Sequence, residues 1–81
     1  MQIKFKNSAL KDLKKLNKAE IDNIIDKIDN LQFFPNVINV KKLTNFFPPY
    51  RLRVGNYRIL FELNEKFIII YGIKHRKDSY K

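Results

Sequence analysis

The dipeptide Gly55-Asn56 sits between two alternating runs, Tyr50-Arg51-Leu52-Arg53-Val54 and Tyr57-Arg58-Ile59-Leu60-Phe61-Glu62-Leu63. A two-residue loop with glycine first suits a type II′ turn, the turn that matches the twist of a tight hairpin. Such a turn sets the register: Val54 faces Tyr57, Arg53 faces Arg58 and Leu52 faces Ile59. Side chains alternate between the two faces of a strand. Tyr50, Leu52, Val54, Tyr57, Ile59 and Phe61 are therefore expected on the core face, and Arg51, Arg53 and Arg58 on the other, with Leu60. Like charges placed opposite one another across strands destabilise a sheet. An Arg53–Arg58 pair costs stability, and a bound anion accounts for it. Guanidinium groups match phosphate in a bidentate fork.

The rest of the chain supplies what such a hairpin must pack against. Phe67 to Lys74, after a turn near Asn64-Glu65, reads as a third strand and completes a three-stranded antiparallel meander over residues 50–74. Near the N-terminus, Ile3 and Phe5 alternate with Gln2, Lys4 and Lys6, which predicts a short first strand. A helix follows, capped by Asn7 or Ser8 and running to about Leu16, with Leu10, Leu13 and Leu16 on one side. Its other side carries Lys11, Lys14, Lys15 and Lys18 at spacings of three and four. Asn17 with Glu20 three residues on reads as a capping box for a second helix. Ile21, Ile24, Ile25, Ile28 and Leu31 form that helix's apolar stripe, Asp22, Asp26 and Asp29 lie on another face, and Pro35 ends it. Two helices joined this tightly predict an antiparallel helix hairpin. Residues 36–49 read as irregular, with Val37, Val40, Leu43 and Phe46 available to cover the core edge. The class is α+β, one domain over residues 1–81, with no internal repeat or linker.

Charge narrows the function. The chain has 81 residues and a formal charge of +9, from 17 Lys and Arg against 8 Asp and Glu. On a small folded domain this implies a polyanionic partner, most often nucleic acid, and the lysine side of the first helix is a candidate phosphate-binding surface. One histidine, no cysteine and scattered acids provide no metal-ligand set. Two glycines leave no phosphate-cradling loop, and no serine–histidine–acid set is recognisable, so no cofactor is expected. The N-terminal residues lack the apolar core of a signal peptide, and the longest apolar run, Phe67 to Ile73, is far below the ~20 residues of a membrane helix. With no cysteine, a reducing, cytoplasmic setting without membrane contact is the expectation.

The chain ends His75-Arg76-Lys77-Asp78-Ser79-Tyr80-Lys81. Together with Lys41-Lys42-Leu43 and the run from Tyr50 to Glu62, this segment resembles the RelE/ParE toxin superfamily over nearly the whole chain. The resemblance implies a microbial RNase-like fold. In its RelE-type branch it implies a toxin that enters the ribosomal decoding site and cleaves messenger RNA through attack of the 2′-hydroxyl on the adjacent phosphate. It also implies a cognate antitoxin that wraps and silences the toxin. Arg51, Arg53, Arg58, Arg76 and Tyr80 match positions of RelE-type functional residues. Members of the ParE-type branch share the fold, poison DNA gyrase without cutting RNA, and usually lack those basic and tyrosine residues. A degenerate homologue that only binds antitoxin is the third alternative.

One departure bears on mechanism. The positions of Arg51 and Arg53 are lysine in the best-known RelE pattern. Arginine keeps its proton at any usable pH, so it is a poor general base, although it can neutralise a phosphate in the transition state. His75 is the only side chain whose unperturbed pKa lies near neutrality, which makes it the candidate for proton transfer. Tyr80 is the candidate for orienting the 2′-hydroxyl or stacking on a base.

Overall fold

The Gly55-Asn56 turn forms in the computed structural model, which describes residues 2–77. Gly55 has φ 57°, while Asn56 is not among the non-glycine residues of positive φ. That is the type II′ pattern, in which only the first central residue is left-handed. Strand β3 (Tyr50–Val54) pairs antiparallel with β4 (Tyr57–Leu63) in the expected register, Arg53 facing Arg58 and Leu52 facing Ile59. Strand β5 (Phe67–His75) returns antiparallel to β4. Asn64 closes that turn, its Oδ1 accepting from the amides of Lys66 at 3.0 Å and Phe67 at 2.8 Å.

Two short strands extend the meander. The predicted first strand, β1 (Gln2–Phe5), lies parallel to β5, with Ile3 opposite Ile68. Within the segment expected to be irregular, Val40–Lys42 forms β2, antiparallel to β3. Its Val40 stands opposite the buried Leu52, so the pairing both covers the core and closes an open strand edge. The sheet order is β1-β5-β4-β3-β2.

Helix α1 spans Asn7–Lys14, two residues shorter than the apolar spacing predicts. Neither Asn7 nor Ser8 caps it; Lys6 holds that position without a side-chain bond, and Ser8 Oγ donates instead to the carbonyl of Tyr71. This exchange explains where α1 goes. β1 leaves the edge of β5 after Lys6, whose amide donates to Ile70 O at 2.9 Å. From there α1 serves that edge with side chains: Ser8 at Tyr71, then Asp12 Oδ2, which accepts from the Ile73 amide at 2.9 Å.

Helix α2 (Lys18–Asp29) starts with the predicted capping box, Asn17 Oδ1 accepting from the Glu20 amide at 2.8 Å. Ile24 and Ile28 are buried and Leu31 follows in a 3-10 turn, Asn30–Phe33. They meet Leu52, Val54, Ile59, Phe61, Ile68, Ile70 and Ile73 of the sheet in one core, with Ala9 of α1. Full burial of each large side chain contributes roughly 1.5–3 kcal/mol. Asp22, Asp26 and Asp29 are exposed, as the pattern requires. Leu13, Leu16, Val37 and Val40 pack on the core margin, whereas Leu10 and Phe46 stay exposed. Among the described residues no helix is long and apolar enough to cross a membrane.

One irregularity matters for the site. Phe61 pairs with Ile70 but Leu60 pairs with Gly72, so Tyr71 is an extra residue, a β-bulge. Before the bulge Ile68 and Ile70 face the core. After it, Ile73 does so opposite Ile59, and Lys74 falls opposite Arg58.

Candidate nucleic-acid interface

The sheet face away from the helices carries two rows of side chains set by strand register. One row reads Arg53–Arg58–Lys74 and the next Lys41–Arg51–Leu60–Gly72. Neighbouring strands lie about 4.8 Å apart, so these cations share one patch. Arg51 and Arg58 are half-buried, and the Nε atoms of both are shut off from solvent. Arg53 is exposed. Arg58 Nη1 donates to the Arg76 carbonyl at 3.1 Å, and the Arg76 amide donates to Asn56 O at 2.7 Å. The residue that follows β5 is thereby tied to the hairpin turn, beside the Arg58 guanidinium.

Among the described residues, acids stand only at the margins of this patch. Asp12 pairs with Lys74, Nζ to Oδ2 at 3.0 Å. Glu62 accepts from the Tyr71 hydroxyl at 3.1 Å. That bond and burial hold the Tyr71 phenol above its ordinary pKa, burial being the larger cause. Clustered guanidinium groups with acids displaced to the rim attract a polyanion and concentrate positive potential where a phosphate would sit.

The β2–β3 connection crosses this face. Phe47 reaches over to β5, its ring 5.2 Å from that of Tyr71 and nearly perpendicular at 77°. Pro48 beside it is buried, while Phe47 itself is 63% exposed.

Among the residues expected from sequence, the structure brings Arg51, Arg53 and Arg58 onto one face and the backbone of Arg76 next to Arg58. Tyr80 lies outside the described residues. His75 goes elsewhere. It stands opposite Tyr57, its ring 5.4 Å from the Tyr57 ring, and Tyr57 belongs to the helix-covered face. His75 Nδ1 accepts from the Lys77 amide at 3.2 Å. With Asp12, Lys15, Leu16, Tyr57, Ile73 and Lys74 it lines a cavity of about 290 Å³. The four lysines are all exposed but do not share one helix: Lys11 and Lys14 end α1, Lys15 is its C-cap residue, and Lys18 begins α2.

Sequence reasoning missed Lys41, Lys74 and the Phe47–Tyr71 pair. Lys41 was hidden because its strand is three residues long. Uninterrupted alternation would put Lys74 on the core side; the bulge places it with the arginines.

Comparison with known proteins agrees with this fold. A family profile described as ParE toxin of type II toxin–antitoxin system, parDE, matches residues 3–80. The toxin RelE3 of Methanocaldococcus jannaschii is 34% identical, covering 99% of this chain and 96% of that protein. The fold is similar to that in the RelB–RelE antitoxin–toxin complex from Methanococcus jannaschii, with TM-score 0.78, 32% identity, and 95% and 94% of the two chains covered. It is also similar to that in the archaeal RelE–RelB complex from Pyrococcus horikoshii OT3, with TM-score 0.77, 28% identity, and 96% and 97% covered.

Proposed function

This chain belongs to the RelE/ParE superfamily of type II toxin–antitoxin toxins, in its RelE-type branch, and from that premise we propose that it inhibits translation by cutting messenger RNA on the ribosome. The observation that carries the reading is the arginine face, where Arg51, Arg53 and Arg58 cluster on the side of the sheet that the helices leave open. The resemblance implies that ParE-type gyrase poisons usually lack these basic residues.

The chemistry follows from what arginines can do. The ribose 2′-oxygen forms a bond to the adjacent phosphorus while the bond from phosphorus to the 5′-oxygen breaks. The products are a cyclic phosphate and a 5′-hydroxyl; the 2′-hydroxyl gives up its proton and the departing oxygen gains one. Negative charge grows on the phosphate oxygens and on the leaving oxygen. Fixed cations aimed there act more strongly in the transition state than in the bound substrate, and so raise the rate. Arg58, held through the Arg76 carbonyl, and the Arg76 side chain are assigned to that charge. Arg51 and Arg53 grip the phosphate, and Tyr80 orients the 2′-hydroxyl or stacks on a base. His75, on the helix-covered side, enters the reading as a candidate for proton transfer only if the strand end rearranges on the ribosome.

The partner that silences this toxin is an antitoxin of the kind found with the Methanococcus jannaschii and Pyrococcus horikoshii chains. Acidic side chains laid on the arginine face would satisfy the same cations that RNA uses.

A toeprint on translating ribosomes with purified toxin tests the reading. Breaks within the messenger are expected. The family description also names the ParE toxin, and DNA breaks with purified gyrase but an intact messenger would transfer the protein to that activity.

A further inference from the structure

We propose that Phe47 is a stacking platform for one base of the bound RNA, with Tyr71 as its buttress; this rests on the RNA-cleavage reading of the arginine face. Phe47 is a large aromatic ring, 63% exposed, on a connection that is stapled down on both sides of it. Pro48 next to it is buried, and the Leu43 amide donates to Pro49 O at 2.7 Å, closing the loop at its base. The ring is thus presented by a fixed support.

That support continues beneath it. Tyr71 meets Phe47 edge-to-face at 5.2 Å, its hydroxyl is held by Glu62 at 3.1 Å, and Lys6 Nζ lies 5.5 Å from its ring centre. The largely exposed Phe47 ring is left available to another π-system. The position fits a nucleotide next to the gripped phosphate. Tyr71 is the bulge residue adjoining Gly72, and Gly72 shares its register row with Leu60, Arg51 and Lys41. Between the aromatic pair and the guanidinium groups, that row holds only the uncharged Leu60 and Gly72. A cationic track with an exposed aromatic at its side is how proteins hold single strands: backbone by charge, base by stacking. Stacking tolerates any base but strengthens with ring area, so a purine is favoured at this position.

The test uses the full chain and a short RNA made uncleavable by 2′-O-methylation, with the fluorescent purine analogue 2-aminopurine placed at one position at a time. Stacking quenches its fluorescence. Wild type and Phe47→Tyr should quench strongly at one position. Phe47→Leu, which keeps an apolar side chain against Tyr71, should lose that quench and bind roughly tenfold more weakly. All three should melt together, because the ring is largely exposed. Equal quenching by Phe47→Leu, or no quenching by wild type at any position, overturns the proposal. So does a Phe47→Leu protein that weakens only antitoxin binding. Messenger cleavage on programmed ribosomes keeps the two readings separate. A wild type that quenches but never cuts retains the stacking site and loses the nuclease. A wild type that cuts, with a leucine variant equal in quenching and codon choice, retains the nuclease and loses the stacking site.

Discussion

The Tyr57 hydroxyl donates to Glu20 Oε2 at 2.7 Å while Glu20 Oε1 accepts from the Asn17 amide at 3.3 Å. One carboxylate therefore completes the cap of α2 and pins that helix to β4. The hydrogen bond to Glu20, with burial and the carboxylate's charge behind it, holds the Tyr57 phenol above its ordinary pKa of 10.0. A group whose folded pKa is raised stabilises the fold fully below its unfolded pKa, and that contribution is lost as pH climbs through the folded value. Thermal stability of the wild type should fall as pH rises above about 10. Tyr57→Phe should fall less steeply over the same window, the residual slope coming in part from Tyr71, whose phenol is also raised. Parallel slopes for the two proteins would show that the bond does not persist in solution.

Asp12 does two things at the edge of β5: it accepts from the Ile73 amide at 2.9 Å and pairs with Lys74 at 3.0 Å. Asp12→Ala leaves that amide without its acceptor, a loss of roughly 1–3 kcal/mol. In a domain of this size the melting temperature should drop by about 5–15 °C. Asp12→Asn keeps an acceptor and should recover most of the loss. If the asparagine variant melts as low as the alanine one, the ion pair outweighs the amide bond.

Arg58→Ala is the sharpest test of the proposed chemistry. Single-turnover cleavage on saturated ribosomes should slow on the order of a hundredfold or more, the usual cost of losing one well-placed transition-state donor. The fold should hold, because removing Arg58 also relieves its cross-strand repulsion with Arg53. Wild-type cleavage by a folded Arg58→Ala protein would sink the assignment.

Lys11, Lys14, Lys15 and Lys18 are proposed to contact ribosomal RNA phosphates away from the cut. They cluster around the α1–α2 junction. Changing all four to glutamine should weaken ribosome binding and reduce the steepness of its salt dependence by up to about three in log–log slope. An unchanged slope removes them from the interface.

Much of the site was legible locally. The Gly55-Asn56 turn and the alternation on either side placed Arg51, Arg53 and Arg58 on one face and Leu52, Ile59 and Phe61 on the other. Turn chemistry and period-two alternation involve residues a few positions apart, so they are written in the chain itself. The capping box at Asn17 and Glu20 was legible for the same reason. β2 was not: three residues carry no period, and its pairing exists only because β3 offers an open edge.

The face taken by His75 shows where local information stops. An unbulged β5 continuing the Phe61–Ile70 register would set Arg58 opposite Ile73 and turn His75 toward the arginines. The bulge at Tyr71 shifts everything after it by one residue, burying Ile73, sending Lys74 to the arginine face and His75 to Tyr57. Both registers satisfy the same strand propensities, so the sequence of β5 does not choose between them. The backbone groups around the bulge are taken up by Ser8 at the Tyr71 carbonyl and Asp12 at the Ile73 amide, 63 and 61 residues away in the chain. The sequence by itself determined the hairpin, the helices and the cationic character of one sheet face. Which residues complete that face was decided by α1 docking on the β5 edge, because a one-residue register choice is settled by whatever partner satisfies the exposed backbone.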